Sequence, residues 1–132
     1  MNKDIDIPKV EGVYMAITHD YNEVFKTNDW NAYLINDKEI AIELVLIVSH
    51  GYDGDTKTST MRHKLEKLPA KSGAKIELMQ DEVLKLNNEF KLTFFLNNKL
   101  YEKAFLFEKN TIKENALRTI KTLDGKRGII AN

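Results

Sequence analysis

Residues 89–108 read EFKLTFFLNNKLYEKAFLFE, and their pattern decides the fold class. Phe90, Leu92, Phe94 and Leu96 recur at every second position, the side-chain period of a strand with one buried face. A second apolar run follows Asn97-Asn98, so the stretch reads as two strands joined there. Two registers are open. An even connection puts Tyr101, Phe105 and Phe107 on the face of Phe90 and Leu92; an odd one puts Leu100, Ala104 and Leu106 there. The even case buries more aromatic area and is the expected one. It points Lys103 inward, which calls for a bulge or a snorkelling side chain near a sheet edge.

Working outward, Gly12–Thr18 and Trp30–Ile35 read as strands, with a loop and a helical turn near Asn22 between them. Asn36-Asp37-Lys38 is a turn signal. Glu39–Ser49 reads as a long third strand with Ile40, Ile42, Leu44, Leu46 and Val48 on one face. Val45 and Ile47 make its second half apolar on both faces. Such a strand is covered on both sides or lies at a subunit interface. The expected cover is the N-terminal arm or the C-terminal segment. Residues 50–56 read as a loop, Lys57–Leu68 as a fourth strand ended by Pro69, and Ala74–Met79 as a fifth. Asp81–Leu86 suggests a short helical turn. Thr111 and Glu114 have capping-box spacing for a short helix, followed by a turn at Asp124-Gly125 and an apolar stub.

A chain of 132 residues suits a single domain: an arm at 1–11, a core at 12–110, and a helical turn with tail at 111–132. There is no cysteine, which excludes disulfides and thiolate chemistry and fits a reducing, cytoplasmic setting. No apolar run approaches the roughly twenty residues of a membrane span, so no membrane association is expected. The formal net charge is zero but divided. Residues 1–56 hold eleven acids and four bases, a net of −7, and residues 57–132 hold nine acids and sixteen bases, a net of +7. Acidic and basic strands lying side by side would neutralise one another. A dipolar surface would instead favour head-to-tail contacts or an anionic partner.

About seven short strands with turn signals between them and little helix point to an all-β, antiparallel β-sandwich, with a small barrel as the competitor. Leu86 stands four residues before Phe90 at the entry to the alternating run. This resembles the corner before the sixth strand of immunoglobulin-like and fibronectin type III-like domains, with Phe90 where those domains carry a tyrosine. A wider pattern runs through residues 7–14 (IPKVEGVY), 29–36 (DWNAYLIN), 58–63 (TSTMRH), 68–72 (LPAKS) and 86–90 (LNNEF). It resembles a set of small bacterial proteins, some labelled phenylalanyl-tRNA synthetase alpha chain. A class II synthetase core needs a glycine-rich strand–helix motif and an ATP-clamping arginine, and neither motif is found here. Residues 32–37 also resemble the β-domain that accompanies some Smr-type nuclease domains.

No catalytic constellation emerges, so the chain is expected not to be an enzyme and to need no cofactor. His19, His50 and His63 share no metal-ligand spacing. His50, Asp53 and Asp55 crowd one loop without the pattern of a calcium loop. Ser49 and His50 are strand neighbours and point to opposite faces. The strongest site candidate is the basic stretch 57–75, with Arg62, Lys64, Lys67, Lys71 and Lys75 as contacts for an anionic partner. A solvated face that guards a strand edge against aggregation is the competing account. The pI of about 6.8 is low for a dedicated nucleic-acid binder. The expected function is therefore protein–protein contact, with an unknown partner or a second copy. Nucleic-acid or anionic-ligand binding is the alternative.

Overall fold

The computed structural model describes residues 8–131. It places ten strands in two antiparallel sheets. They are β1 (Val13–Asn22), β2 (Thr27–Asn36), β3 (Ile42–Asp53), β4 (Thr56–Lys57), β5 (Met61–Leu68), β6 (Ser72–Met79), β7 (Asn87–Leu96), β8 (Lys99–Phe107), β9 (Arg118–Ile120) and β10 (Lys126–Ile130). A single short helix, α1 (Asp81–Leu84), precedes β7. The first sheet runs β6-β2-β1-β10-β9. In the second, β7 and β8 lie on one side of β3, while β4 and β5 pair with successive parts of its other edge. The chain changes sheets between β5 and β6, where Pro69 ends the strand because it has no N–H to continue the ladder.

One core lies between the sheets. Val13, Met15, Ile17, Ala32 and Leu34 come from the first sheet; Ile42, Val45, Ile47, Phe90, Leu92, Phe94, Phe105 and Phe107 come from the second. The all-β sandwich reading holds at that level. The hairpin of the opening stretch has the even register: Phe90 pairs with Phe105 and Phe94 with Tyr101. Asn97 and Asn98 both have left-handed backbone (φ 51° and 63°), the requirement of a two-residue turn matched to strand twist. Lys103 sits opposite Leu92 on edge strand β8. It escapes burial by snorkelling, with Nζ 5.0 Å from the Phe105 ring centre.

The third strand departs from its expected alternation. Ile42 faces the core, and so do Val45 and Ile47, because a β-bulge between Glu43 and Leu46 shifts the parity. Leu44 takes the extra position with left-handed backbone (φ 49°). Leu44, Leu46 and Val48 thus face outward, while Ile40 precedes the strand. The expected cover for this face does not come from the C-terminal segment, which builds β9 and β10 into the other sheet. The first seven residues of the expected arm lie outside the described residues.

Several shorter features also differ from expectation. β1 continues to Asn22 and meets β2 through a four-residue turn, so the expected loop at 19–29 is a hairpin. β3 runs through His50 and Gly51 to Asp53 rather than ending in a loop. The capping box does not form. The Thr111 hydroxyl donates to the Glu108 carbonyl, and Glu114–Ala116 make one 3-10 turn. Burial of Ile112, Leu117 and Ile120 holds this segment along the sheet instead of coiling it. Ile120 and Leu123 then cover Ala16 and Ile35 on the outer side of the first sheet, a second small core. Gly73 admits that cover: a Cβ there would stand 2.2 Å from Leu123 Cδ2.

Candidate interaction surface

The outer face of the second sheet is apolar along a diagonal. Cross-strand pairing sets Lys64, Leu46, Thr93 and Glu102 in one row, and Arg62, Val48, Lys91 and Ala104 in the next. Glu43, Phe95 and Leu100 form another row beside the bulge. Leu44 is 63% exposed, and Phe95, Leu100 and Leu106 are also exposed. Isolated apolar residues on a surface are ordinary; these are spread over the neighbouring strands β3, β7 and β8 of one face, with Thr93, Lys91 and Glu102 among them.

The five basic residues of the sequence candidate do not form one patch. Arg62, Lys64 and Lys67 are exposed on β5, flanking the apolar diagonal, and none has an ion pair among the described residues. Lys71 lies in the crossing between sheets. Its ammonium is 3.3 Å from both Asp37 Oδ1 and Glu39 Oε1, and hydrogen bonding to these carboxylates raises its pKa. Lys75 is on β6 of the other sheet, paired with Tyr33. The split arises at Pro69, where the strand parity of the two halves becomes unrelated.

The structure also gathers polar groups that sequence spacing did not connect. Ser49 Oγ donates to Glu77 Oε1 at 2.6 Å, and His63 Nε2 lies 3.1 Å from the same oxygen. Glu77 belongs to the first sheet, and Ser49 and His63 to the second, so the cluster ties the sheets together. The carboxylate stands between serine and imidazole, and no hydrogen bond joins those two. The order therefore differs from a nucleophile activated by a neighbouring base. His50 points the other way, stacked on Tyr52 at 5.5 Å. Among the described residues, no three His, Asp or Glu side chains converge as a metal site.

On the outer side of the first sheet, Asp20 accepts hydrogen bonds from Thr18 Oγ1 (2.6 Å) and Asn31 Nδ2 (2.9 Å), with Lys126 Nζ at 3.3 Å. Burial by itself would raise the Asp20 pKa, but these three bonds outweigh it and hold the carboxyl below its ordinary value. A hydrogen bond from Thr122, helped by Lys71, likewise lowers Asp37 despite a smaller opposing desolvation. Burial, followed by the nearby Asp37 charge, raises the Tyr14 phenol.

One exposed feature escaped the sequence reading. Val24 and Phe25, at the tip of the β1–β2 hairpin, are 83% and 75% exposed. The signal was two adjacent bulky apolar residues inside an otherwise polar turn segment. No described helix is long and apolar enough to cross a membrane. No protein-family profile, curated protein or solved structure matches the chain.

Proposed function

We propose that this chain is a non-enzymatic binding module that works by protein–protein contact, self-association included, through the outer face of the second sheet. The observation that carries this reading is the apolar diagonal of Leu44, Leu46, Val48, Phe95 and Leu100 on a solvent-facing sheet surface. Burying such side chains stabilises a complex by about 25 cal/mol per Å² of apolar surface removed from water. A cytoplasmic setting suits a chain without cysteine. An immunoglobulin-like or fibronectin-like arrangement is supported by the corner at Leu86–Phe90, where Phe90 is buried edge-on against Phe107.

The test is sedimentation velocity across a concentration series, with Leu46→Asp plus Val48→Asp as the comparison. Both side chains face outward, so the fold is expected to survive and association to be lost. A strictly monomeric wild type that captures no protein from its own cells through this face would end the reading.

A second reading rests on the uncompensated Arg62, Lys64 and Lys67, which could hold an anionic ligand or nucleic acid beside the apolar diagonal. It expects salt-dependent binding of a polyanion, weakened by Arg62→Ala with Lys64→Ala. Absence of binding at low salt would remove it.

A further inference from the structure

The β1–β2 tip is braced to present apolar side chains. Asn22 Oδ1 accepts the N–H groups of Val24 (3.0 Å) and Phe25 (3.1 Å), and its Nδ2 donates to Asp29 Oδ2 at 3.1 Å. Thr27 Oγ1 donates to Asp29 Oδ1 at 2.8 Å, and Lys26 closes the turn with left-handed backbone (φ 55°). These bonds satisfy the turn internally, yet its apex carries Val24 and Phe25 where polar residues would normally stand.

The charge around the tip is predominantly acidic. Glu23 lies in the turn and Asp29 beside it, with Lys26 as the turn's own cation. Trp30 pairs with Met79, so Asp81 and Glu82 at the start of α1 come to the same end. Residues 27–30 and 78–82 line a cleft of about 450 Å³ there. None of these four acids has an ion pair among the described residues. The outer face of the second sheet is the counterpart: Leu46 and Val48 lie beside Lys64 and Arg62, also without ion partners. One surface is an apolar knob beside acids; on the other, Arg62, Lys64 and Lys91 lie next to Val48 and Leu46, with Glu43, Glu89 and Glu102 elsewhere on the same face.

We infer that the Val24–Phe25 tip of one copy docks on the outer face of the second sheet of another copy. The inference rests on the contact-face reading above and names its occupant. That face looks away from the first sheet, which carries the tip, so the contact joins two molecules. It is heterologous, and it propagates head to tail unless it closes into a ring. The acids at the tip disfavour an anionic membrane as the occupant.

Two variants and their mixture test this by sedimentation velocity at low and high salt. The tip variant is Val24→Asp with Phe25→Asp; the face variant is Leu46→Asp with Val48→Asp. Wild type is expected to assemble beyond a dimer, less so at high salt. Each variant alone is expected to associate at least about tenfold more weakly, a loss of about 1.4 kcal/mol. Mixed together, they should form a one-to-one pair and stop, because one intact tip meets one intact face. A tip variant that assembles like wild type overturns this inference and leaves the face reading standing. A monomeric wild type, or a face variant that assembles like wild type, overturns this inference; the face reading falls with it only when the face also captures no protein from the cell. Failure of the mixture to pair overturns head-to-tail docking, as does capture of wild type, but not of the tip variant, by phosphatidylserine vesicles.

Discussion

Leu44 shows how much one residue can redirect. A branched side chain in left-handed backbone costs about 1 kcal/mol or more, and this one recovers little by burial because it is exposed. Leu44→Gly relieves that strain while adding roughly 0.5–1 kcal/mol of backbone entropy cost. The urea midpoint is therefore expected to stay unchanged or rise, while self-association weakens. A large fall in the midpoint would instead make Leu44 a structural requirement. Asp20 gives a pH-dependent counterpart. Its folded pKa is depressed, so it contributes stability above the ordinary carboxylate value and loses that contribution as pH falls through the lower folded one. Asp20→Asn should cost about 1 kcal/mol at neutral pH; the gap should begin to narrow as pH falls below the ordinary carboxylate value and close only below the lower folded one. Urea midpoints of both proteins across that range check the sign; a gap that is constant with pH would contradict it.

At the scale of elements, the β7–β8 hairpin is pinned by its turn. Asn98→Val should lower the thermal midpoint by an amount worth more than about 1 kcal/mol, since a β-branched residue resists left-handed backbone. Asn98→Gly should not lower it. This hairpin was legible because every second residue of β7 is buried and no bulge interrupts it. The third strand was only half legible: the bulge at Leu44 has no glycine to announce it, and a parity shift is invisible in a run of Leu, Val and Ile. β9 and β10 were missed because strands this short show hardly one period, and their burial depends on β1. Arg62 and Lys64 share a side as their spacing implies, whereas the separation of Lys71 and Lys75 depends on the passage between sheets.

Over the whole molecule, the order of the strands constrains how it can come apart and assemble. β5 and β6 are neighbours in the chain but belong to opposite sheets, and the Ser49–Glu77–His63 contacts fasten those sheets near the same boundary. Neither sheet can open alone without pulling on the other, so loss of structure should be cooperative.

The pairing of β1 with β10 has a temporal meaning. During synthesis, β1 leaves the ribosome long before its neighbour exists. Until Lys126–Ile130 arrive, the growing polypeptide carries an open backbone edge in what will become the middle of a sheet, and that edge invites pairing with any other nascent strand nearby.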